Sequence, residues 1–355
     1  MAPGESLLRE PIAPVARSMV RRQLALWESE AQRLGNPEDV EATHDYRVAL
    51  RRLRTLLRAF RPWLGPIPVD TRRRLRRVMR ATNDVRDLEV LVVWIGRQTG
   101  TLTPTQQRGT SWLADRLSVR RAGAEARMLA RIARRTGSLR VAKLRRALAK
   151  EHRTRPGNGA SQTAAGVLAR LVRREAREIE QGLGSFRAMG DRAAIHGTRI
   201  AVKRLRYLLE PFTEPIPGGP ELLARLRSLQ DQLGIVTDAH AAADELRLAM
   251  MDADRNRSSG LGWKVLPWPG PEPGVPAIPP PSRAGVTAGL AALARRLRRE
   301  GDAAFEHLRS NWLGVAKKDL LEEIRDLARR IPRQRSGRPD LNRRLPAPKA
   351  GALPG

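Results

Sequence analysis

Apolar residues recur at three- and four-residue steps along most of the chain, and no stretch of any length alternates in the manner of a strand, so the pattern predicts an all-helical protein. The first helix is expected over residues 5–33, with Leu8, Val15, Met19, Leu24 and Trp27 on its inner face and Gly35-Asn36-Pro37 ending it. A second follows over 40–63, broken by Pro66 and Pro68; a third covers 69–96 and a fourth 104–135, with a short helical stretch reaching Lys150. Residues 153–161 have the composition of a linker. The order then restarts: helices over 161–186, 193–212 and 221–254, and after an interruption over 284–312, extendable to Arg330.

The restart is a repeat in sequence as well as in pattern. His44-Asp-Tyr-Arg47-Val-Ala-Leu-Arg51-Arg52-Leu-Arg54-Thr-Leu-Leu-Arg58-Ala-Phe60 returns as His196-Gly-Thr-Arg199-Ile-Ala-Val-Lys203-Arg204-Leu-Arg206-Tyr-Leu-Leu-Glu210-Pro-Phe212, with nine of seventeen positions identical. On a helix each copy sorts into two faces. His44, Arg47, Arg51, Arg54 and Arg58 share one side and Leu50, Leu53, Leu56, Leu57 and Phe60 the other; His196, Arg199, Lys203 and Arg206 repeat the basic line. At a rise of about 1.5 Å per residue, the first strip is on the order of 20 Å long.

Cations one turn apart repel one another, and a strip made only for solubility would mix in acids. A strip of arginines written twice is suited to an external polyanion of repeating phosphates, whose oxygens match the planar guanidinium fork. A solvated outer face is the plainer alternative.

Composition sharpens the choice of partner. The chain has 355 residues and a formal net charge of +30, with seven lysines among its 67 basic residues. Such a surface attracts nucleic acid, polyphosphate or anionic membrane. The lack of cysteine excludes disulfides, thiolate metal sites and cysteine nucleophiles. No uncharged apolar run approaches a membrane span, and no signal peptide is recognisable, so a cytoplasmic protein is expected. Sparse aromatics weigh against base stacking.

The paired signatures around His44 and His196 resemble the two signature helices of the CHAD family, the conserved histidine α-helical domain. Val85-Arg86-Asp87-Leu88 and Leu229-Gln-Asp-Gln-Leu233-Gly234 with Thr237-Asp238 are similar to the segments that family carries after them. The resemblance spans about residues 5–313. It implies two pseudo-symmetric four-helix bundles related by internal duplication, a first half at 1–152 and a second at 162–331. A Pro/Gly-rich insertion at 256–282 and a disordered basic tail at 332–355 complete the expected layout.

The resemblance also implies that the basic helices line a channel or groove binding inorganic polyphosphate, with a place at polyphosphate granules. Many members carry a CYTH triphosphate tunnel domain; no Glu-x-Glu-x-Lys motif precedes the repeat here, so a stand-alone member is expected. Glu210 departs from the pattern set by Arg58 and is expected to weaken the far end of the second strip. The expected phosphate ligands are His44, Arg47, Arg51, Arg52, Arg54, Arg58, His196, Arg199, Lys203, Arg204 and Arg206. Asp87 and Asp238, with Arg76, Arg227 and Tyr207, are expected to orient those forks from behind.

His44 and His196 have an equal claim to bracing the contact between bundles, and His152, His240 and His307 have no assigned role. Arg120, Arg121, Arg127 and Arg131, and in the second half Arg170, Arg173, Arg174 and Arg177, either extend the positive surface or are merely solvated. No metal site, cofactor or catalytic constellation is recognisable, so binding is expected rather than catalysis. A nucleic-acid-binding protein is the first alternative and a metal-dependent phosphohydrolase the second. Pore versus open groove, chain-length preference and oligomeric state stay open.

Overall fold

The computed structural model describes residues 7–36, 38–39, 41–136, 138–150, 162–214, 216–258 and 283–331. Those residues are helical with no strand beyond one isolated bridge. The first half comprises α1 (Ile12–Arg33), α2 (Ala42–Ala59), α3 (Thr71–Ala81), α4 (Asn83–Thr99), α5 (Pro104–Thr136) and α6 (Ser138–Ala149). The second comprises α7 (Ala164–Ser185), α8 (Arg192–Leu209), α9 (Gly219–Ser258), α10 (Arg283–Trp312) and α11 (Val315–Arg330). The expected linker at 153–161, nearly all of the insertion and the tail lie outside the described residues.

Within each half, successive long helices pack side by side, and a short last helix returns to the first: α6 against α1, α11 against α7. Across the halves the principal contacts join each helix to its own counterpart, α1 to α7, α2 to α8, α4 to α9 and α5 to α10. That is the pairing a two-fold axis makes. Its centre is visible in the backbone. Ile12 N–H donates to Gln162 O and Ala164 N–H to Glu10 O, both at 2.9 Å, and residues 12 and 10 stand 152 positions before 164 and 162. These reciprocal bonds also satisfy the first free N–H donor of α1 and of α7.

The apolar faces read from the repeat form the core. Leu50, Leu53, Leu57, Phe60, Val202, Leu205, Leu209 and Phe212 are all buried, so the two closing phenylalanines occupy matched interior positions. The boundaries of the basic helices tighten to Ala42–Ala59 and Arg192–Leu209, with a separate 3₁₀ turn at Arg61–Trp63. The single helix expected over 69–96 is two helices broken at Thr82, whereas its counterpart α9 runs unbroken. The stretch from residue 284 also divides, at Gly314, whose φ of +66° lies in the region that favours glycine.

The largest contact between halves, α5 on α10, depends on glycines that let two backbones meet. A Cβ at Gly289 would stand 2.6 Å from Gln106 O and 2.9 Å from the Gly109 Cα; one at Gly109 would overlap the Gly285 carbonyl. Gly109→Ala is therefore expected to destabilise the fold by about 2–3 kcal/mol, since neither backbone can yield locally. Gly96→Ala on α4 meets nothing within 4 Å. It is expected to be neutral or slightly stabilising, and thermal melting of the two variants checks the contrast.

Candidate anion-binding seam between the two basic helices

The strips of α2 and α8 meet where these helices pack together. Arg51 lies in the field of Arg199, and Lys203 in the field of both. His196 on the same side feels Arg199, Lys203 and Arg51. From α3, Arg76 and Arg80 join through Arg54. Charges far apart in the sequence, from both halves, thus share one space.

The crowding is expressed in protonation. Burial, then Arg199 and Arg51, push Lys203 down to about 6. Burial first and neighbouring cations second also lower Arg51, Arg54 and His196. Among the described residues, the buried Nε donor of Arg199 has no hydrogen-bond partner, whereas that of Arg206 faces Glu210 at 3.6 Å. The nearest carboxylate oxygen to Arg199, on Asp238, is 4.0 Å from its terminal nitrogen. Buried donors left unmatched cost free energy until something accepts from them.

Asp87 and Asp238 occupy matched places, α4 in one half and α9 in the other. Asp87 is exposed to solvent, yet the protein around it raises its carboxyl, burial acting first; among charges, Arg47 opposes and Asp238 adds to the rise. Among the described residues, no three His, Asp or Glu side chains gather as a metal site. No described helix is long and apolar enough to cross a membrane.

Several expected ligands are engaged elsewhere. Arg47 is buried, and its guanidinium donates to the backbone oxygen of Thr82, to Thr82 Oγ1 at 2.7 Å and to Asn83 Oδ1 at 3.3 Å. It holds open the break between α3 and α4 and leaves the accessible strip. Its counterpart Arg199 sits against Gly234, where a Cβ would stand 3.2 Å from the guanidinium.

Arg204 pairs at 2.9 Å with Glu175, which is 2% exposed, and at 3.6 Å with Glu178. Arg58, lowered mainly by burial and then by Arg204, is exposed and lies in the field of that same group. Glu210 does more than shorten the second strip. It reaches Arg52 of the other half at 3.1 Å and Arg206 at 3.6 Å, while both guanidiniums lie over the Tyr207 ring, at 5.5 and 4.9 Å from its centroid. Tyr207 and Glu210 thereby clip the two basic helices together.

His44 is half-buried in the first turn of α2, and Arg227 is exposed on α9. Arg120 and Arg173 are engaged in contacts between helices, with Glu245 at 2.6 Å and Ala328 O at 3.3 Å. Arg86, part of the family-like segment Val85–Leu88 but not an expected ligand, and Glu175 join the site. Arg86, in the field that lowers Arg51, follows the strip's charge logic; Glu175 carries no signal, because its partner is on another helix.

A model of the CHAD domain matches residues 18–247. The chain belongs to the CHAD family. No curated protein matches it. Its structure resembles the crystal structure of the CHAD domain from the plant Ricinus communis, with 19% identity and a TM-score of 0.60 over 85% of this chain and 92% of that one. It also resembles PptA from Streptomyces chartreusis, with 21% identity and a TM-score of 0.57 over 85% of this chain and 99% of that one. At these identities the likeness is one of fold. The all-helical CHAD architecture places the paired signature helices of this chain against each other at the seam.

Proposed function

We propose that this CHAD protein binds inorganic polyphosphate in the seam between α2 and α8, without catalysing its turnover. The observation that carries the reading is the meeting of Arg51 with Arg199 and Lys203 from the other half, a concentration of cations with an unmatched donor. A phosphate chain supplies acceptors at close, regular intervals and neutralises charges that otherwise repel. Arg51, Arg54, Lys203 and Arg199 are the proposed principal contacts, with His196 and the Glu210-held Arg206 at the edge and Asp87 and Asp238 limiting how the forks turn. Membership in the family supports the same ligand, and association with polyphosphate granules is the corresponding cellular role.

Competition at near-physiological salt between labelled polyphosphate and double-stranded DNA tests this reading. Polyphosphate is expected to win and its affinity to fall steeply with salt; preference for the duplex would replace it with the nucleic-acid reading. Magnesium- or manganese-dependent release of phosphate by the purified protein would instead favour an enzyme.

The protonation of Lys203 sets a pH dependence. With its amino group at about 6 in the free protein, Lys203 is largely neutral at pH 7. A bound polyanion stabilises the charged form, so binding takes up a proton. Affinity is therefore expected to rise as the pH falls from about 9 towards 6, by at most about tenfold per unit for one coupled proton, with Lys203 adding nothing further below. Dissociation constants at fixed ionic strength check this. Lys203→Arg, charged throughout, is expected to flatten the profile.

A further inference from the structure

The two-fold relation is broken in charge on one side of the seam. Helix α3 carries six arginines in eleven residues, and of these only Arg74 reaches a carboxylate among the described residues, Asp70 at 3.2 Å. Arg76 and Arg80 are exposed and stand in the field of Arg54, which is itself in the field of Arg51. Arg72, Arg73 and Arg77, also exposed, continue the cationic surface from there. Arg72, Arg76 and Arg80 lie at four-residue steps, so they form one line about 12 Å long.

The second half keeps two of these six arginines, Arg225, which is paired with Glu323, and the exposed Arg227. The positions matching Arg72, Arg73, Arg77 and Arg80, at the 151-residue spacing of Asp87 and Asp238, are Leu223, Ala224, Ser228 and Asp231. The counterpart of Arg54, Arg206, is held by Glu210. A chain of cations therefore leads out of the seam over α3 and stops short on the α9 side.

We propose that α3 carries a second, outer subsite for a linear polyphosphate, occupied only by chains long enough to leave the seam, so that bound polymer exits over the first half. This rests on the polyphosphate reading of the seam. A short anion fills the centre and gains nothing from Arg72, Arg73 and Arg77. A long one gains further contacts, each releasing counterions.

The experiment measures affinity for triphosphate and for long-chain polyphosphate in the full chain and two triple variants. Arg72→Gln, Arg73→Gln and Arg77→Gln remove the outer subsite. Arg177→Gln, Arg295→Gln and Arg299→Gln remove equal charge from exposed positions on α7 and α10. The α3 variant is expected to bind long chains at least about tenfold more weakly than the control, with a salt slope shallower by about two, as for three lost contacts to a single-stranded polyanion. Its triphosphate affinity is expected to match that of the control.

Equal losses for both ligands, or equal losses in both variants, would mean a diffuse field and overturn the subsite. If the unaltered protein binds neither polyphosphate, the reading of the seam itself fails, a result separable from intact long-chain binding by the α3 variant, which sinks the subsite alone.

Discussion

Reversing Arg51 and Lys203 together, as Arg51→Glu and Lys203→Glu, is expected to abolish polyphosphate binding while leaving the protein folded and at least as resistant to heat. The two effects have one cause. Each residue is expected to supply a charge-assisted contact of about 1.5–3 kcal/mol, so losing both weakens binding by about a hundredfold to ten-thousandfold before the repulsion of two new carboxylates is added. In the free protein, however, Lys203 is a poorly solvated cation among cations. A lysine held down to about 6 costs the folded chain stability as the pH falls from its unfolded value near 10.4 towards 6, and replacing it removes that cost. Glutamates would gain Arg199 as a partner. Calorimetric titration and thermal melting read the two quantities separately; collapse of the fold would show both side chains to be braces, and unchanged binding would move the site elsewhere.

Neutralising Glu175 is expected to do the opposite. Glu175 is among the few buried charges, and it holds Arg204 at 2.9 Å while accepting from Arg174 at 3.1 Å. Glu175→Gln leaves the Arg204 guanidinium, 15% exposed in its side chain, with Glu178 at 3.6 Å as its remaining carboxylate. Removing one partner of a buried pair costs about 3–5 kcal/mol, and the lower end applies here because Glu178 remains. Polyphosphate affinity is expected to stay near that of the unaltered chain once both are folded, since the pair faces α7. Replacing the pair as Glu175→Leu with Arg204→Met should recover most of the loss, because no charge is then left buried alone. Denaturant melts of the single and double variants measure it; a Glu175→Gln protein as stable as the original would mean that Arg204 is adequately solvated.

The contrast between these variants marks what could be read in the chain. Periodicity placed Leu50, Leu53, Phe60 and their counterparts inside because burial of an apolar face is a local property of a helix. The strips were legible for the same reason, and their repetition implied that they belong together. Individual roles were less accessible. Arg47 and Arg51 fall on one line, yet Arg47 turns into the break at Thr82 and Arg51 into the seam. That difference arises from a helix break 35 residues away. The break itself left no trace, since Arg80-Ala-Thr-Asn83 contains neither proline nor glycine and is stabilised by a side chain from elsewhere. Arg204 belongs to the basic signature of the repeat, but its role is set by Glu175 on another helix, 2.9 Å away.

The pairing of α1, α2, α4 and α5 with their counterparts is the geometry of a dimer of identical subunits, here found on one polypeptide. In such a dimer any change on one bank of the seam would appear on the other: a glutamate at the position of Glu210 would clip both ends, and an arginine-rich α3 would open both. Covalent linkage removes that obligation. On one polypeptide each bank can mutate alone, and a site with a symmetric backbone can acquire a front and a back.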